Sequence, residues 1–192
     1  MPLLRHDDPA LAFDGDCARA RAILEAYVPR DADQEDAKAC MLEFLAEHPR
    51  DAHLRACEPG HLTASAILVH PDGGRGLFTH HKKLGRWLQL GGHCDGDGNL
   101  PAAALREAIE ESGIEDLAID PTPVDLDIHL IPDRPGEPAH LHLDTRFRIL
   151  SPTSDFTVSD ESHDLAWLTL DELRDRGDGS VLRLAALVLG EG

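Results

Sequence analysis

Apolar residues recur at helical spacing in two stretches near the start of the chain. They are Asp16 to Tyr27 (Ala22, Ile23, Ala26) and Asp31 to His48 (Ala37, Met41, Phe44, Leu45), with Pro29 and Pro49 as stops. Two helices are predicted ahead of the core. Leu62 to His70 is short and rich in β-branched and small apolar residues, and Pro71-Asp72-Gly73-Gly74 is a turn signal leading into Gly76 to His80, a pattern that predicts a hairpin. A short strand around Trp87-Leu88-Gln89-Leu90 precedes a glycine-rich loop, Gly91 to Asn99, and then a helix over Leu100–Ser112 that Gly113 can terminate. Val124–Ile131 and His140–Leu150 alternate apolar and polar positions and predict long strands, separated by the loop 132–138. Leu165–Leu168 reads as a further strand, and Leu170–Arg176 and Val181–Leu189 as helices. Strands interleaved with helices, with hairpin pairs among them, imply an α/β fold in which helices cover both faces of a mixed sheet.

At 192 residues the chain suits one main core with attached decoration. We divide it into an N-terminal helical extension, residues 1–60, and a principal domain, residues 61–192. Against 36 acidic side chains stand 18 Lys and Arg, a formal charge of −18, which argues against a sequence-independent nucleic-acid binder. The balance leaves phosphorylated small molecules open, provided that a cation is held first; the 12 histidines make metal chemistry worth seeking. No apolar run reaches bilayer length and the N-terminus turns polar too soon for a secretory signal, so we expect no membrane association and a cytoplasmic location. Cys17, Cys40, Cys57 and Cys94 form no CxxC pair and are expected to be reduced, with Cys94 of interest for its neighbours.

The chemistry concentrates in the helix over 100–112. At about 100° per residue, Glu107, Glu110 and Glu111 share one face, while Ala102, Leu105 and Ile109 are predicted to form the buried one. The Glu107/Glu111 pair is an i,i+4 repulsion near a helix C-terminus, a cost that a bound divalent cation reverses. Hard cations such as Mg²⁺ and Mn²⁺ take oxygen ligands together with water and phosphate oxygens. Ala103 and Ala104 are expected to leave room for a phosphate, Gly91 and Gly92 to let backbone approach it, and Arg106 to hold a glutamate in place. A solvated acidic helix face is the plain alternative for three glutamates alone.

The segment Gly92 to Ile114 resembles the Nudix box, G-x5-E-x7-R-E-U-x-E-E-x-G-U with U a bulky aliphatic residue. Gly92, Arg106, Glu107, Glu110, Glu111, Gly113 and Ile114 match in register, whereas Gly98 stands where the pattern has its first glutamate and Ala108 is smaller than usual. The resemblance implies the family's α/β/α sandwich and a pyrophosphohydrolase. Its substrate would be a nucleoside diphosphate linked to another moiety, cleaved with Mg²⁺ or Mn²⁺. It further implies metal ligation by Glu107, Glu110 and Glu111 with help from the backbone at Gly91, and a catalytic set of those glutamates with Arg106 and Glu161. Asp95 and Asp97 are candidate substitutes for the carboxylate missing at Gly98. Two alternatives stay open: a ligand-binding or regulatory Nudix-fold module that has lost hydrolysis, and an isomerase of a diphosphate ester.

Candidate substrate contacts are Gly92, His93, Arg86 and His142. His140, His142 and Asp144 share one strand face, which can be solvent-facing, a substrate wall or a second metal site. The basic run His80 to Trp87 can hold phosphates and stack a base on Trp87, or be a solvated hairpin end with Trp87 in the core. For residues 1–60 a cap over the site and a homodimer surface are both open.

Overall fold

The computed structural model describes residues 2–82, 85–157 and 162–190. Two helices come first, α1 (Cys17–Ala26) and α2 (Ala32–Glu47), followed by strands β1 (Gly60–Val69), β2 (Gly76–His81), β3 (Arg86–Leu88) and β4 (Leu90–His93). Helix α3 (Leu100–Ser112) leads to β5 (Ala118–Ile131), β6 (His140–Leu150), β7 (Ser162–Leu168), α4 (Leu170–Arg174) and α5 (Gly179–Leu189). The sheet is mixed: β1 and β6 run parallel in register from Gly60↔Leu141 to Val69↔Leu150, and the other pairs are antiparallel. Strand β1 is central, because β6 borders one side while β4 and β2 share the other.

The two faces of β1 separate the core from the site. Leu62, Ala64, Ala66 and Leu68 point toward α1, α2 and α3 and join Leu24, Met41, Leu45, Leu105 and Phe147 in one apolar cluster, so the N-terminal helices share the core of the sheet. Of the alternate positions, Ile67 packs with Phe78, Leu173, Val181 and Leu184 beneath α4 and α5. His61, Thr63 and Ser65, on that same second face, are buried as well. Each element has a local cause. Asp16, Asp31 and Asp178 cap their helices through side-chain oxygens, Thr169 and Glu172 form a capping box, and Gly113 ends α3 in the left-handed conformation at φ 69°.

Three sequence expectations are corrected. Strand β5 begins at Ala118 rather than Val124, passing Pro121 and Pro123 through a register shift between Asp120 and Asp125; its place at the sheet edge tolerates residues without an N–H. Gly91 to His93 are strand rather than loop, paired with Ser65, Ala64 and Thr63 of β1. The buried side of α3 is Ala103, Ala104, Leu105, Ala108 and Ser112, whereas Ala102 and Ile109 are only partly covered. Ala103 and Ala104 are fully buried; they bring the helix close to the sheet and leave no phosphate space.

Candidate active site

Helix α3 presents its glutamates to the backbone of β4. Gly92 makes this possible, since a Cβ there would stand 2.3 Å from Glu107 Oε2. The Gly91 N–H donates to Glu111 Oε1 at 3.0 Å, and Gly91 itself, at φ 148°, would drive a Cβ into Ser65 at 2.3 Å. Gly92 therefore admits a glutamate side chain, and Gly91 the close approach of β1. Arg106 pairs with Glu107 and donates to the His93 carbonyl at 3.1 Å, which ties the helix to the end of β4. Burial raises the pKa of Glu107, the Arg106 charge opposes that rise, and Glu110 adds to it.

Glu107, Glu110 and Glu111 line a cavity of about 690 Å³ with Thr63, Ser65, Asp144 and His142 from the sheet, Arg106 from α3, and Arg55 and Arg134 from loops. Asp144, 3% exposed, accepts from the Thr63 and Ser65 hydroxyls at 3.1 and 2.6 Å and from Arg146 at 2.9 Å. Arg146 in turn pairs with Asp125 at 3.2 Å and Asp127 at 3.1 Å. Burial works to discharge this guanidinium, and the charges of Asp144, Asp127 and Asp125 outweigh it. The result is a rigid polar floor between the cavity and α5, whose Ser180 hydroxyl accepts from Arg146 at 2.8 Å.

Histidines close the other end. His93 and His142 lie 5.0 Å apart by ring centroid, and burial, reinforced by neighbouring cations and imidazoles, pushes their pKa values down to about 4 and about 2. His61 and His140 are 4% and 6% exposed, so this strand face does not face solvent.

Of the predicted residues, Gly91, Gly92, His93, Arg106, Glu107, Glu110, Glu111 and His142 come together on this cavity. Arg86 does not: it is exposed and lies 3.8 Å from Asp178. Glu161 and Lys83 lie outside the described residues. Trp87 stacks on His80 at 5.3 Å and packs against the α4/α5 cluster, with Arg176 over its ring. Asp95 is held by Arg55 at 2.5 and 2.8 Å, and Asp97 accepts from the N–H groups of Asp14 and Asn99. Both carboxylates are thus engaged in shaping the loop. All four cysteines are free, and burial raises the Cys94 thiol well above its ordinary range, which makes it unreactive. His61, Arg55 and Arg134 were missed by sequence reasoning. His61 continues the polar alternation of Thr63 and Ser65 but precedes the expected strand start, and two arginines in separate loops carry no common signal.

Known proteins agree with this architecture. The family model described as NUDIX domain matches residues 59–185. The chain belongs to the Nudix hydrolase family. Among solved structures, this Nudix chain is similar to a NUDIX-family hydrolase from Clostridium perfringens, at 24% identity and TM-score 0.54, covering 68% of this chain and 96% of that one. It is also similar to the E. coli dihydroneopterin triphosphate pyrophosphohydrolase, at 18% identity and TM-score 0.55 with the same coverage. A C. elegans Ap4A hydrolase matches at 21% identity and TM-score 0.51, covering 68% of this chain and 98% of the other. Curated protein sequences give no match. Among the described residues, no helix of this Nudix chain is long and apolar enough to cross a membrane.

Proposed function

We propose that the cavity hydrolyses a pyrophosphate bond in a nucleoside diphosphate linked to another moiety, with Mg²⁺ or Mn²⁺. The observation that carries this reading is that Glu107, Glu110 and Glu111 line one cavity together with Arg55, Arg106 and Arg134. The donor set fits a hard cation: three carboxylates supply oxygen, and a hard ion of this kind completes its shell with water and phosphate oxygens. The similarity to a dihydroneopterin triphosphate pyrophosphohydrolase and an Ap4A hydrolase supports the substrate class.

When bound, the cation lowers the pKa of water and neutralises charge on the phosphoryl oxygens. The chain's own residues do the rest. Arg106 fixes Glu107, and the Gly91 N–H fixes one oxygen of Glu111, so both carboxylates are oriented before substrate arrives. Arg134 offers a guanidinium group to the substrate phosphates, and Arg55, oriented by Asp95, adds positive charge beside it. A carboxylate of this set takes the proton from the attacking water.

The test is turnover of a panel of nucleoside diphosphate derivatives with Mg²⁺ or Mn²⁺ in ¹⁸O-labelled water. The reading expects two phosphorylated products with the label on one phosphorus. Binding without release would favour a ligand-binding module, and conversion without label an isomerase.

A further inference from the structure

Two paired strands bring three histidines onto the sheet face that carries the cavity. His61 on β1 is in register with His142 on β6, and His140 lies two residues along β6 on the same face. Ring centroids stand 4.9 Å apart for His61 and His140, 4.9 Å for His61 and His142, and 5.2 Å for His140 and His142. One nitrogen from each lies within 4.8 Å of the others.

Two details point to a cation at their centre. Neither ring nitrogen of His61 makes a hydrogen bond of ordinary geometry, although the residue is 4% exposed. Buried polar atoms are rarely left so. The His140 ring is oriented as a ligand: its Nδ1 donates to the Pro138 carbonyl at 2.8 Å, which leaves a lone pair on Nε2 when the ring is neutral. That Nε2 is at hydrogen-bond distance, 3.3 Å, from His142 Nε2. Nitrogens about 2.0–2.1 Å from one tetrahedral ion are about 3.3–3.4 Å apart, so the pair already has the spacing of two ligands on one metal.

We propose that His61, His140 and His142 form a site for one divalent transition-metal ion of the zinc class, separate from the glutamates of α3. Imidazole nitrogen selects Zn²⁺, Co²⁺, Ni²⁺ or Cu²⁺, whereas Mg²⁺ prefers oxygen. His142 lines the cavity, so water or a substrate oxygen reaches the fourth position from that side, and the Glu137 carboxylate is 3.9 Å from His140 Nε2. The site stands on the histidine geometry alone and does not depend on the hydrolytic reading. A second group, His48, Asp51 and Cys57, also has ligand atoms within 4.8 Å of one another and serves as an internal control.

The experiment strips the full chain with chelator and titrates it with Zn²⁺ and with Co²⁺. With excess Mg²⁺ present to occupy the glutamates, one tightly held Zn²⁺ per chain is expected, with the visible absorption of tetrahedral Co²⁺. His61→Ala and His140→Ala should each weaken binding on the order of 100-fold, while Cys57→Ser and Glu111→Gln leave it unchanged. X-ray absorption of the zinc-loaded wild-type protein needs no variant, and should show imidazole scattering without sulfur. Failure to retain zinc, sulfur in the metal's shell, or binding unmoved by the histidine substitutions in variants that keep the wild-type circular dichroism would overturn the site.

Discussion

Two glycines of the same motif are required for opposite reasons. At Gly98 a Cβ would stand 2.2 Å from the Asp16 carbonyl oxygen and 3.2 Å from that of Asp14, and the Gly98 N–H already donates to Asp14 O at 2.6 Å. The segment ahead of α1 thus occupies the position where the family pattern has its first glutamate. Gly98→Glu, which restores the pattern on paper, is expected to lower stability by about 1–3 kcal/mol in urea denaturation and to leave turnover no higher than wild type. A gain in turnover would show that the N-terminal segment yields. At Gly92 the obstacle is the end of a flexible glutamate, so Gly92→Ala should displace the Glu107 carboxylate and lower kcat on the order of 100-fold, with the urea midpoint nearly unchanged. The box was legible because Arg106, Glu107, Glu110 and Glu111 stand at fixed intervals on one helix. The packing behind Gly98 was not, because residues 14 and 98 meet only in three dimensions.

Among elements, β6 carries more than its alternation announced. Its even positions, His140, His142, Asp144 and Arg146, run from the histidine cluster through the cavity floor to the N-terminus of α5. The period-2 pattern showed that these side chains share a face, but polar residues on one strand face read as solvent-facing until β1 and β5 are placed beside them. Arg146 is the keystone, since Asp125 is fully buried against it. Arg146→Ala should cost about 3–5 kcal/mol, seen as a lowered urea midpoint, because it strands buried carboxylates. A loss below about 1 kcal/mol would mean that Arg183 and Arg30, at 2.8 and 3.4 Å from Asp125, compensate. Helix α3 was predicted with its bounds correct and its buried side rotated. Alanines read as spacers for substrate are spacers for the sheet.

For the molecule as a whole, the histidines set a pH dependence. His93 and His142 titrate in the fold at about 4 and about 2, below the ordinary histidine value. Between those values and about 6.5 the unfolded chain binds more protons than the native one, so stability is fully present above pH about 6.5 and is lost as pH falls. In chelator, the free energy of unfolding should drop by about 2 kcal/mol from pH 7 to pH 4.5 after allowance for partial solvent exposure; a flat profile would contradict the burial of these rings. The charge of −18 acquires a partly mechanistic sense at this scale. Six of its acidic groups, Glu107, Glu110 and Glu111 among them, line a cavity proposed for an anionic substrate, which makes attraction depend on bound cations rather than on net charge. The most direct measurement is the initial rate of pyrophosphate-bond hydrolysis by the wild-type chain and by Glu111→Gln, each with Mg²⁺ and with EDTA. The predicted result is turnover only in the wild type with Mg²⁺, at a rate that monovalent salt does not replace. Substantial turnover in EDTA, or an unchanged rate in Glu111→Gln, would contradict the account.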